Sequence, residues 1–185
     1  EQLRGDGVEH FFRYEYMESG EFGREDDGKP VWRQRLDLVM PAGLNEQLAY
    51  FADRAQLYAC LIRPDLEPEP AIAEGLRRLN RWGGQTMYPF LLNAYQRYSD
   101  NEVGPSELAE LIGMIESFLV RRLFVGVPTN ALNRLFTRLA QQLPKDMSFV
   151  AGTRRMLSLP SRRWPPDKDF KTGIMAHHLY TDSRG

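Results

Sequence analysis

Leu132, Leu135, Phe136, Leu139 and Leu143 fall on one face of a helix, and no strand period fits them. The same three- and four-residue steps relate Leu44, Leu48, Phe51, Ala55, Tyr58 and Ile62. They recur in Ile72, Leu76 and Leu79, and in Leu108, Leu111, Ile112, Ile115, Phe118, Leu119 and Leu123. A helix with one apolar stripe is stable only when that stripe is covered by another element. Repeated stripes with no convincing strand pair predict an all-α fold, a multi-helix bundle of about eight helices with no significant sheet.

Helix punctuation agrees with this reading. Pro64 and the segment DLEPEP end the first stripe, and Gly83-Gly84 closes the second. Pro89 suits a first turn, where no backbone donor is needed. Gly126 is placed for a left-handed cap, Pro128 for a stop, and Thr129 or Asn130 for the N-cap of the next helix. A shorter helix is expected from Ser148 to Leu157. Asp167 is expected to cap a last one, with Phe170, Ile174 and Leu179 inward. Residues 1–43 read as an N-terminal helical and loop extension. Within it Val8 to Glu18 is helical, and Val31 to Met40 fits a helix or a short strand. Residues 44–185 form the helical domain. Neither terminus carries a start or stop signature, so a fragment of a longer protein is expected.

Composition narrows the classes. The chain has 185 residues, 42% of them hydrophobic and 26% charged, the balance of a globular domain. Its single cysteine, Cys60, precludes an internal disulfide and points to a reducing cytoplasm. The net charge of −1 hides an asymmetry: residues 121–171 hold 11 basic and 3 acidic side chains, a local balance of +8. Such clustering points to a polyanionic partner.

Catalytic signatures are missing. There is no P-loop, Cys-x-x-Cys, His-Glu-x-x-His or Gly-x-Ser-x-Gly pattern. His177 and His178 are neighbours that diverge on a helix, and His10 is remote, so no metal site is expected. Glu25-Asp26-Asp27 and Asp65, Glu67 and Glu69 lie in Gly- or Pro-containing loops and read as solvated. The basic series Arg121, Arg134, Arg138, Arg154, Arg155, Arg162, Arg163 and Lys171 is the candidate for contacts to a DNA backbone. Arg122 continues the apolar face of its helix and must be paired, by a carbonyl at a helix end or a group on another helix. Glu116 is the local carboxylate, at poor spacing. Arg121 is expected to be exposed. Arg122, Gly126, Pro128, Thr129, Asn130 and Asn133 together read as a structural joint between two helices.

The stretch IESFLVRRLFVGVPTNALNRLF, residues 115–136, resembles a segment of the GmrSD-type modification-dependent restriction endonucleases. Tyr88 to Leu92 is similar to that family's YPxLL, and Trp164 to Phe170 to its WPxDxxF, with Tyr180 where an LY follows. The three segments occur in the family's order from about residue 45 to 180. The resemblance covers the helical middle region, between an N-terminal ParB-like NTPase domain and a C-terminal HNH nuclease. It implies a scaffold within an anti-phage enzyme that acts on modified DNA, such as glucosylated or phosphorothioated DNA. NTP and Mg2+ are implied for the parent enzyme, and the flanking NTPase and nuclease domains as partners. Neither the triphosphate-site motif nor the HNH motif occurs here, so no catalytic residue carries over. The alternative is a non-catalytic module for homodimerisation or domain docking.

Overall fold

A computed structural model describes residues 44–82 and 85–176. Expectations for the N-terminal extension, Gly83-Gly84, both C-terminal histidines, Leu179 and Tyr180 lie outside these residues. Among the described residues there are seven α helices and no strand. They are α1 (Leu44–Ile62), α2 (Pro70–Arg81), α3 (Tyr88–Ser99), α4 (Pro105–Phe124), α5 (Leu132–Leu139), α6 (Phe149–Leu157) and α7 (Asp167–Ala176). Short 3-10 turns occupy Pro64–Leu66, Ala140–Gln142 and Pro160–Arg162. None of these helices is long and apolar enough to cross a membrane.

Helix α4 is the axis of the bundle, packing against α2, α3, α6 and α7, while α3 also packs against α1 and α5. Its stripe of Leu108, Leu111, Ile112, Ile115 and Phe118 is buried. These side chains meet Leu76 and Leu79 of α2, Phe90 and Leu91 of α3, and Leu135 and Phe136 of α5 in one core. Leu123 departs from its expected place and is 51% exposed. Eight residues from Ile115 it has rotated off the stripe, whereas Arg122, seven residues away, is almost two full turns on and stays in line. Gly173 lets α7 lie directly against the backbone of Phe124, where any Cβ would collide with the carbonyl.

The helix starts follow local chemistry. Proline opens α2 and α4, where its missing N–H costs nothing. The Glu107 carboxylate accepts from the Gly104 N–H ahead of α4 at 3.0 Å. Ser148 caps α6 by accepting from the Ala151 N–H. Asp167 is the first residue of α7 rather than its cap. No residue of that helix is buried: Phe170 is half-covered and Ile174 exposed, against the expected inward face.

Glu67 overturns the reading of its loop as solvated. It is 7% exposed. Its carboxylate accepts from the Tyr95 hydroxyl at 2.9 Å and from the Glu69 N–H at 3.0 Å. Burial, and then the Glu67 charge, push the Tyr95 hydroxyl well above its ordinary pKa. The folded protein therefore keeps that proton while the unfolded chain releases it above about pH 10. Stability tied to Tyr95 is complete below that pH and falls as pH rises, by at most about 1.4 kcal/mol per unit. Tyr95→Phe should cost roughly 1.5–3 kcal/mol near neutrality, because a charged acceptor loses its donor. It should also flatten the fall of the urea midpoint between about pH 10 and 11. An unchanged alkaline slope would show that Tyr95 is not the group responsible.

Candidate functional site: an arginine-lined cleft at the α4–α5 corner

The corner between α4 and α5 is closed by backbone geometry. Gly126 adopts a left-handed φ of 71°. Its N–H donates to the Leu123 carbonyl at 3.1 Å, and the Val127 N–H donates to the Arg122 carbonyl at 2.9 Å. These paired bonds form a Schellman motif that satisfies the last carbonyls of α4. The chain then passes Pro128 and turns through Thr129, whose carbonyl accepts from the Leu132 N–H at 2.9 Å.

Neither Thr129 nor Asn130 supplies the expected cap. The N-cap of α5 is Ala131, and no side chain accepts from the first turn. The turn closes through the Thr129 carbonyl, so the helix begins one or two residues later than the side-chain signal suggests. Asn133 is exposed, and only its carbonyl serves locally, accepting from the Thr137 hydroxyl at 2.8 Å.

Arg122 fastens this corner to the distant Pro160–Arg163 turn. It is 6% exposed and donates to the Arg162 carbonyl at 2.6 Å and to the Pro128 carbonyl at 2.7 Å. Its guanidinium also lies 5.2 Å from the centre of the Phe118 ring. Glu116, its local carboxylate candidate, instead takes Arg78 of α2 at 2.9 Å. Burial, and then the adjacent charge of Arg163, pull the Arg122 guanidinium below its ordinary pKa.

Between the corner and the turn lies a cleft of about 260 Å³. Arg122, Arg162 and Arg163 line it, together with Pro128, Asn130 and Ser161. Arg162 donates to Gln142 Oε1 at 2.9 Å, but its Nε and that of Arg122 are buried with no acceptor among the described residues. Arg163 is exposed and holds a left-handed φ of 53°. That conformation costs a side-chain-bearing residue about 1 kcal/mol.

The remaining members of the basic series are dispersed. Arg121 is half-buried rather than exposed: it pairs with Asp167 at 2.6 Å, donates to the Pro165 carbonyl, and stacks over Phe170. The WPPD segment supplies Asp167 and the Pro165 carbonyl, α7 supplies Phe170, and together they tie α7 to α4. Arg154 pairs with Glu110, and Arg155 reaches the Met147 sulfur at 3.8 Å. Those two line a separate cleft between α4 and α6. Arg134 and Arg138 are exposed on α5 and Lys171 on α7. Among the described residues none of these three has a carboxylate within ion-pair distance. Ser161, like Val127 and Ala131, lines the cleft without having been singled out from the sequence, and its position beside two arginines was the available signal. No three His, Cys, Asp or Glu side chains among the described residues converge as metal ligands.

Fold and site thus define an all-α bundle with a cationic cleft at one helix corner. No protein-family model, curated protein or solved structure matches the chain.

Proposed function

We propose that this chain is the helical scaffold region of a prokaryotic restriction endonuclease of the GmrSD type, acting on modified DNA. In that role it couples NTP use in one flanking domain to cleavage in the other, and it holds the DNA backbone itself. The observation that carries the DNA contact is the pairing pattern of the arginines. Arg134, Arg138, Arg162 and Arg163 have no carboxylate partner among the described residues, on α5 and on the turn packed beside it. Phosphates reward such unneutralised cations without requiring any base readout. The motif order given above supports the choice of family, and the chemistry of cleavage is assigned to the flanking domains.

The test is anisotropy of a labelled duplex with the whole chain over a salt series. Four phosphate contacts correspond to a slope of log K against log salt of about −3.6, or roughly a 100-fold loss of affinity from 50 to 200 mM. Arg134→Glu with Arg138→Glu should flatten the slope by about 2. Absence of binding at 50 mM salt would remove the DNA contact. A stable dimer in sedimentation that survives charge reversal would then favour the docking module.

A further inference from the structure

Five arginines among the described residues pair with a carboxylate. Arg77 takes Asp65 and Glu74, Arg78 takes Glu116, Arg97 takes Glu102, Arg121 takes Asp167 and Arg154 takes Glu110. The three arginines that line the corner cleft, Arg122, Arg162 and Arg163, have none among the described residues. Like charges gathered at one cleft repel one another, and here the Arg122 guanidinium is held by the carbonyls of Arg162 and Pro128. Two buried Nε–H groups remain without an acceptor, one of them on the nine-tenths-buried Arg122.

The backbone points the same way. Ala131 and Leu132, the first residues of α5, line the same cleft, and no side chain caps that helix. Its positive dipole end and first-turn N–H groups therefore add to the arginine field. Arg163 holds a backbone conformation that glycine or asparagine would adopt at less cost. A cation at a strained backbone position is one pointer to a functional site. At about 260 Å³ the cleft is smaller than the roughly 300–1,000 Å³ of pockets that enclose a whole small molecule. It has room for a phosphoryl group rather than for a whole enclosed ligand.

We infer that this cleft is a phosphoryl-binding site, in which Arg162 and Arg163 grip the anion while Arg122 fixes the turn that presents them. Guanidinium forks match phosphate oxygens in geometry and charge. The phosphoryl group is supplied either by the DNA backbone or by a nucleotide, and the DNA source rests on the function proposed above.

Arg163→Gly isolates the site, because it deletes the guanidinium while easing the left-handed backbone. The whole chain is melted in sodium phosphate and in sodium chloride at matched ionic strength, and again with a nucleoside triphosphate. Phosphate should raise the midpoint of the native chain above its value in chloride. Arg163→Gly should abolish that rise while melting, in chloride, no lower than the native chain. On a labelled duplex the same variant should lower the salt slope by about 1 if the backbone is the source. If the nucleotide is the source, the triphosphate should protect the native chain beyond inorganic phosphate and the duplex slope should not move. Phosphate protection that persists in Arg163→Gly, or is absent from the native chain, overturns the site. Salt-sensitive duplex binding in that case leaves the proposed function standing. Conversely, protection through Arg163 without duplex binding upholds the cleft and removes the DNA reading.

Discussion

Phe118→Ala should lower the unfolding free energy by about 3–5 kcal/mol, the range for truncating a buried aromatic. Phe118 is fully buried on α4 and touches three things that must stay together. Its ring meets Phe136 of α5 edge-on at 6.4 Å, Trp164 at 5.5 Å, and the Arg122 guanidinium at 5.2 Å. Truncation leaves a void at the meeting point of α4, α5 and the segment that follows the Pro160–Arg163 turn. These partners belong to separate elements and cannot collapse on the void together, which places the cost toward the upper end. Against a typical total of about 5–15 kcal/mol, that is a third or more of the stability of such a domain. A urea melt measures it directly, and Phe118→Leu should recover most of the loss by keeping the volume. A shift below about 1 kcal/mol would show that the corner does not lean on α4.

Local periodicity reached much of this arrangement. Arg122 lies seven residues beyond Ile115, so the stripe alone puts it in the core. Gly126 followed by Pro128 identifies the end of α4 from the sequence alone. Long-range pairings were not legible. Glu67 is separated from Tyr95 by 28 residues, and Arg122 from the Arg162 carbonyl by 40. No spacing rule on one helix contains such partners. Arg121 was misplaced for the same reason, since the Pro165 carbonyl that it reaches is 44 residues away. The missing cap on α5 has a different origin. Thr129 and Asn130 carry the right side chains, but the Thr129 carbonyl closes the turn first. A local rule fails there beside three arginines with no carboxylate among the described residues, where the proposed phosphoryl site lies.

Arg122→Met should separate holding the cleft from holding the core. Methionine keeps much of the apolar stem against Phe118 but deletes both donors. Hydrogen bonds from a charged donor contribute roughly 1.5–3 kcal/mol each, and two are lost here. Burying the guanidinium without a carboxylate has its own cost, which the substitution removes. The net loss expected is therefore about 3 kcal/mol rather than the full sum of the two bonds. Arg122→Lys should recover only part of it, since one ammonium cannot fork to carbonyls on two separate segments. The location of the damage distinguishes this variant from Phe118→Ala. Amide exchange should rise selectively across residues 159–166 and 127–132, the two segments that Arg122 joins, while α1, α2 and α3 keep their protection. Phosphate protection should vanish as well, because Arg162 and Arg163 lose the strut that orients them. Uniform loss of protection would instead make Arg122 an ordinary core residue. Protection unchanged at both segments would mean that the corner and the turn are held together by packing alone.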